Sequence, residues 1–237
     1  PHNNKNKIFI LVAIGILLII LSALGILFIP KYLSTKALAL FVAEYRRDAE
    51  IENQKETNCS FQEERDAATI ASEGSFANVI LKQIQLYNRE SECFIKQYAN
   101  EYIWDENKII KLERIDLTKT KYENDGKAIL DSIKLQKDFA DVLRLYSIDY
   151  YANQINYLYC KKNAAANQLS SDESYFLKNF SEDTLAKAIE ECNTTQVNEQ
   201  KALDERFSTF KEDSEAYEKA INTSRELTKK LNEILNN

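Results

Sequence analysis

Beyond Pro30 the chain contains two glycines, Gly74 and Gly126, and no proline. Sheets need tight reversals, and the dipeptides that close hairpins are almost absent; the single Asp125-Gly126 pair is flanked by helical rather than alternating patterns. This scarcity of turn chemistry restricts the fold class to all-α. We expect a single N-terminal transmembrane helix followed by an elongated antiparallel helical bundle with a long C-terminal heptad-patterned helix.

The transmembrane segment is Ile8 to Ile29, an unbroken run of 22 apolar or small residues. As a helix it would extend roughly 33 Å, which matches a hydrocarbon core of about 30 Å. A cleavable signal has a shorter apolar region, about 7–15 residues, followed closely by a small-x-small site. The nearest such site here, Ala37-Leu38-Ala39, lies on the far side of Pro30. An uncleaved anchor is therefore favoured, and excision of a start methionine before Pro1 would leave the observed first residue. The expected organisation is a short tail (1–7), the anchor (8–30), a juxtamembrane helix and linker (31–60) and a helical bundle domain (61–237).

Of the 31 basic and 37 acidic residues, only Lys5 and Lys7 precede Lys31, so the remainder carries a net charge of −8. Phosphate neutralisation needs a basic patch, and this balance argues against a nucleic-acid partner. The flanking charges pull the topology both ways. Lys31, Lys36, Arg46 and Arg47, offset by Glu44, follow the apolar run and favour a cytoplasmic domain. Long domains nevertheless translocate largely regardless of charge, and four cysteines without metal or redox spacing favour an oxidising compartment. The preferred expectation is a bacterial inner-membrane protein with a cytoplasmic N-terminus and a periplasmic or extracellular domain.

Past Pro30 the anchor should continue into an amphipathic segment in which Leu33, Ala37, Leu40 and Tyr45 share a face, with Tyr32 at the membrane interface. A helical region follows from about Phe61 to Trp104, including Ile70 and an irregularity at Gly74, and then a shorter segment from Lys108 to Tyr122 that Gly126 should terminate. From Ala128 to about Cys160 apolar residues fall on both sides of a helical wheel, as in a central helix. Ser170, Ser171 and Asp172 offer one helix cap, and Ser181 before Glu182 and Asp183 offers another.

The C-terminal pattern repeats with spacings of four and three through Leu203, Phe207, Phe210, Ser214, Tyr217, Ile221, Ser224, Thr228, Leu231 and Leu235. This is a heptad seam softened by three hydroxyl residues, carried on an expected helix from about Val197 to Leu235. It suits first the closing helix of an intramolecular bundle, which uses the same seam; an intermolecular coiled coil or a docking helix is the alternative.

Cys59, Cys93, Cys160 and Cys192 stand at intervals that match no zinc or redox motif. Among the three connectivities, Cys59 with Cys93 and Cys160 with Cys192 needs only local helical hairpins; four buried free thiols in a cytoplasmic domain are the alternative. The single histidine, His2, lies across the apolar run from the domain. That leaves no Ser-His-Asp or Cys-His pair, no Glu-x-x-His motif and no His-ligated zinc. The missing glycines remove a phosphate-cradling loop, and no cofactor is expected. Carboxylate chemistry on a glycan survives in the Glu90-Ser91-Glu92 cluster, although acidic pairs are common on solvated helix faces.

Tyr146, Tyr150 and Tyr157 share a helical face and could line an aromatic pocket or pack as core. Asn58, Asn179, Asn193 and Asn222 begin glycosylation sequons, relevant only in a secretory eukaryotic setting. Within the anchor, Gly15, Ser22 and Gly25 fall near one face and permit close packing against another membrane helix. The leading functional expectation is an interaction protein, an accessory or assembly subunit of a cell-envelope complex. The alternatives are a ligand-binding sensory domain acting through a partner protein and a carboxylate-dependent glycan-cleaving enzyme.

Overall fold

A computed structural model describes residues 3–54, 59–64, 67, 76–169 and 182–235. Ile70, Gly74, the Ser170–Asp172 and Ser181 caps, and the sequons at Asn58 and Asn179 lie outside the described residues. Every regular element among the described residues is helical: α1 (Asn3–Gln54), α2 (Phe76–Glu113), a short 3-10 turn (Leu117–Lys119), α3 (Glu123–Leu169), α4 (Glu182–Arg206) and α5 (Phe210–Leu235). Among them α1 is the one helix long and apolar enough to cross a membrane. It continues through Pro30, whose missing N–H leaves one helical carbonyl unpaired.

Several boundaries differ from the sequence-based expectation, and the central helix expected from Ala128 to about Cys160 runs from Glu123 to Leu169. Lys108 belongs to α2, which runs on to Glu113, because nothing between Trp104 and Lys108 breaks the helix. The reversal falls at 114–122 and is stitched by side chains. Thr120 Oγ1 donates to the Leu117 carbonyl at 2.9 Å and accepts from the Tyr122 N–H at 3.2 Å. Gly126 therefore does not end a helix; it sits in the first turns of α3, where a Cβ would meet Leu117 Cδ2 at 2.7 Å. Its function there is close approach of the buried Leu117. Finally, the expected helix from Val197 to Leu235 is divided at 207–209, where the Thr209 hydroxyl turns to Asp213 Oδ2 at 2.7 Å.

The chain forms two compact units. The first comprises Pro1–Gln54, Glu106–Lys134 and Ala220–Asn237. Its core holds Leu38, Phe41, Val42 and Tyr45 of α1, Leu112 of α2, Ile129 and Ile133 of α3, and Ala220 and Leu231 of α5. The buried face of α1 is thus not the expected one: Leu33 and Leu40 are exposed while Tyr45 is buried. Five residues separate Leu40 from Tyr45, about 140° around a helix of 3.6 residues per turn, so the two cannot share a face.

The second unit comprises Lys55–Asp105 and Leu135–Lys219. In it Ile80 and Ile84 of α2 pack on Leu158 of α3, bordered by Tyr87, Ile155 and Tyr157. Pairs such as Phe94 with Tyr151 (ring centroids 6.0 Å) and Lys137 over the Tyr102 ring (4.5 Å) continue this packing with α2 and α3 running in opposite directions. Along α3 and α4, Tyr157 Oη donates to Asn193 Oδ1 at 2.7 Å, Gln196 Nε2 donates to Gln154 Oε1 at 3.1 Å, and Arg206 pairs with Asp149.

Candidate functional site

In the first unit the helix that carries the apolar run is also held by charge. Lys108 Nζ is almost wholly buried, bonded to Asp48 and 3.7 Å from Glu44 Oε1, while Lys111 bonds to Glu44. A buried ammonium is tolerable only when paired, and here two carboxylates one turn apart on α1 supply the pair. The Lys111 hydrogen bond, against opposing desolvation and with the charge of Lys108, holds Glu44 below the ordinary carboxylate range. Burial pushes Asp48 upward, but Lys108 and Arg47 together hold it below its usual value. The α5 side is closed by hydroxyls: Tyr45 Oη donates to Ser224 Oγ at 3.2 Å, and Thr228 Oγ1 donates to the Ser224 carbonyl at 2.7 Å.

Seam positions Leu203, Ser224, Thr228 and Leu231 are buried, and Phe207, Phe210, Ser214, Tyr217, Ile221 and Leu235 are half-buried. In the second unit the Phe139 ring packs tilted against Phe210 and Tyr217, with centroids 5.6 and 4.7 Å apart. Tyr146 meets Phe207 and Phe210 at 5.4 and 4.8 Å and lies 6.0 Å from Tyr150. Tyr157 borders the Ile80 cluster. An open groove of 280 Å³ lies nearby between α3 and α4, lined by Asp149, Asn153, Asn156, Glu199 and Arg206 together with Ala152, Ala202 and Leu203, and by none of the three tyrosines. With its amide oriented to satisfy both neighbours, Asn153 donates to Glu199 Oε2 at 3.0 Å.

Both disulfides close within the second unit, Cys59 to Cys93 with Cα atoms 5.5 Å apart and Cys160 to Cys192 at 5.8 Å. No cysteine is left free. Among the described residues no group of three or more His, Cys, Asp or Glu side chains is placed to hold a metal ion. Glu90 is buried in α2 and Glu92 is exposed. Within α1, Ser22 Oγ donates to the Leu18 carbonyl at 2.7 Å, and a Cβ on Gly25 would meet Ile29 Cδ1 at an ordinary 3.6 Å; Gly15 lies on the same helix.

Sequence reasoning passed over Asp105. It is buried on α2, and its Oδ1 has no hydrogen-bond partner among the described residues. Burial, reinforced by the charge of Glu101, pushes its carboxyl up to about 8. An acid following Trp104 at helical spacing from Ile109 and Leu112 was the available signal. No family model matches the chain, and neither a curated protein nor a solved structure is significantly similar to it.

Proposed function

We propose that the chain is a membrane-anchored interaction protein: α1 spans a bacterial inner membrane from a cytoplasmic N-terminus, and an antiparallel helical bundle is presented in the periplasm or outside the cell as an accessory or assembly subunit of an envelope complex. The observation that carries this reading is that α1 is one helix from Asn3 to Gln54, apolar at one end and built into a core at the other through Leu38, Phe41, Val42 and Tyr45. Cleavage at Ala37-Leu38-Ala39 would cut through that buried face, so an anchor fits better than a leader. The two disulfides support an oxidising compartment.

The test is capture of partners through surface lysines, by crosslinking intact membranes and purifying the chain. The expected result is a reproducible complex with other envelope proteins. Recovery of a monomer that carries no partner would overturn the proposal.

A second reading is favoured by the groove between α3 and α4, where carboxylates, amides and the Arg206–Asp149 pair stand beside Ala152, Ala202 and Leu203. These groups suit a small ligand bearing amino or amide groups. A thermal-shift screen with such molecules should raise the melting temperature if the groove binds one, because a ligand selective for the folded state adds to stability. No shift across the set would remove this reading.

A further inference from the structure

We infer that the end of the first unit nearest the apolar run is a basic collar that binds anionic phospholipid headgroups, so that this unit is seated on the membrane surface as well as tethered to it. This deepens the anchored reading by naming a lipid partner, and it rests on α1 crossing the bilayer.

The helix pairings identify which residues form that end. Lys108 meets Asp48 and Lys111 meets Glu44, so α2 runs back toward the apolar run as α1 leaves it. The reversal that follows α2 therefore falls at the near end, and its 3-10 turn packs against α1. Gly126, early in α3, lies against Leu117 of that turn, and the neighbouring Asp125 takes Lys230 of α5 at 2.9 Å. Ser224 bonds to Tyr45 higher on α1, so the last turns of α5 come down to the same end.

No linker lifts this end off the anchor. Within the single helix α1, Tyr32 and Leu33 are exposed, Ser34 and Thr35 are half-buried, and Leu38 is wholly buried. Ser34 lies five residues past Ile29, about 8 Å along the axis, and the headgroup layer is about 5–7 Å deep on each side. The first unit thus begins where the headgroups end, and lysine stems at its rim are long enough to reach them.

The charge of this end is the reverse of the chain's. Residues 31–38, 114–127 and 229–235 hold eight lysines and arginines against four carboxylates, in a chain of net charge −6. All eight cations are exposed. Asp116, Glu123 and Asp125 are taken by Lys119, Lys127 and Lys230. Lys31, Lys36, Arg114, Lys121 and Lys229 are left with no ion-pair partner among the described residues. Basic groups beside a spanning helix are drawn to anionic lipid, and here the bilayer supplies phosphates at the level of the collar before any protein partner arrives. Lys31, Lys36 and Lys121 are placed for contact. Arg114 and Lys229 stand farther back and act through the surface field, which extends about 8–10 Å at ordinary salt. Tyr32, 66% exposed, adds an aromatic ring at interfacial depth.

The experiment embeds the full-length chain in lipid nanodiscs of phosphatidylcholine, with or without phosphatidylglycerol, and follows acylation of individual lysines by peptide mass mapping. Lys36 and Lys121 should react severalfold more slowly in the anionic discs, and high salt should remove the difference. Lys111 is the reference: it bonds to Glu44, fifteen residues or about 22 Å past Ile29, and should react at one rate in both discs. Lys36→Glu combined with Lys121→Glu should lower the phosphatidylglycerol retained by the extracted chain severalfold. Equal rates at Lys36 and Lys121 in the two discs, or slowing that includes Lys111, would overturn the proposal. Equal rates in discs with protection only in native membranes would also overturn it, assigning the basic end to an acidic protein partner. An alkaline wash of the same chain in vesicles separates the two readings. A chain that stays in the vesicles with unprotected lysines loses this inference and keeps its anchor, whereas a chain that washes out loses both.

Discussion

Tyr45 and Ser224, 179 residues apart, meet in a buried hydrogen bond of 3.2 Å that joins the helix carrying the apolar run to the C-terminal helix. Ser224 also donates to the Ile221 carbonyl at 3.0 Å, so its hydroxyl donates within α5 and accepts from α1. Ser224, one of the three hydroxyl positions that soften the heptad pattern, is therefore a site where a small polar residue receives a tyrosine. Tyr45→Phe should cost about 0.5–1.5 kcal/mol in unfolding free energy. Ser224→Leu should cost about 1–3 kcal/mol by overpacking, although it improves the apolar pattern. Denaturant unfolding of both variants checks this; a stabilised Ser224→Leu would contradict it.

Lys108→Met keeps the stem and removes the charge that Asp48 and Glu44 share. The carboxylates are partly exposed and can rehydrate, so the loss should fall toward the lower end of about 3–5 kcal/mol for breaking a buried pair. Asp48→Asn in the same chain should recover part of it, a coupling that a double-mutant cycle reads directly. Both carboxylates are held below ordinary values of 4.5 and 3.8. Their contribution is present above those values and should fade as the pH falls through the lower, folded ones.

Asp105 predicts the opposite slope. Its carboxyl titrates at about 8 in the folded chain against an ordinary 3.8. The folded state thus holds an extra proton between those values, and stability should decline as pH rises across that window. Asp105→Asn should flatten the decline and gain on the order of 1–3 kcal/mol relative to the parent above pH 8. Urea unfolding at several pH values checks it, and parallel profiles for variant and parent would rule it out.

The Cys160–Cys192 bridge closes 32 residues of chain. Replacing both cysteines with serine should cost about 3–4 kcal/mol on the chain-entropy scale for loops of that size. Thermal unfolding under non-reducing conditions measures the loss; an unchanged midpoint would mean that the bridge adds nothing beyond the packing of α3 on α4.

The helical class followed from the missing turn residues, and the cysteine partners from the short loops they close. Element ends were harder to read, because the turn at 114–122 uses Thr120 and Leu117 rather than glycine or proline. Gly126 resembled a breaker but makes room for Leu117. Asp105 and Lys108 stand one turn apart with opposite charges, so nothing in the sequence shows that Lys108 finds carboxylates on α1 while Asp105 Oδ1 finds no partner among the described residues. Only packing of distant helices distinguishes them. The groove residues Asn153 and Glu199 likewise come from separate helices and carry no local motif.

The most direct measurement is the oxidation state and sidedness of the four cysteines in native membranes, read by mass mapping with and without reductant after labelling with a membrane-impermeant thiol reagent. Two intact bridges, Cys59 to Cys93 and Cys160 to Cys192, with thiols that react from outside after reduction by an impermeant reductant, are the expected result. Four free thiols, protected until the membrane is opened, would place the domain in the cytoplasm and contradict the proposed topology.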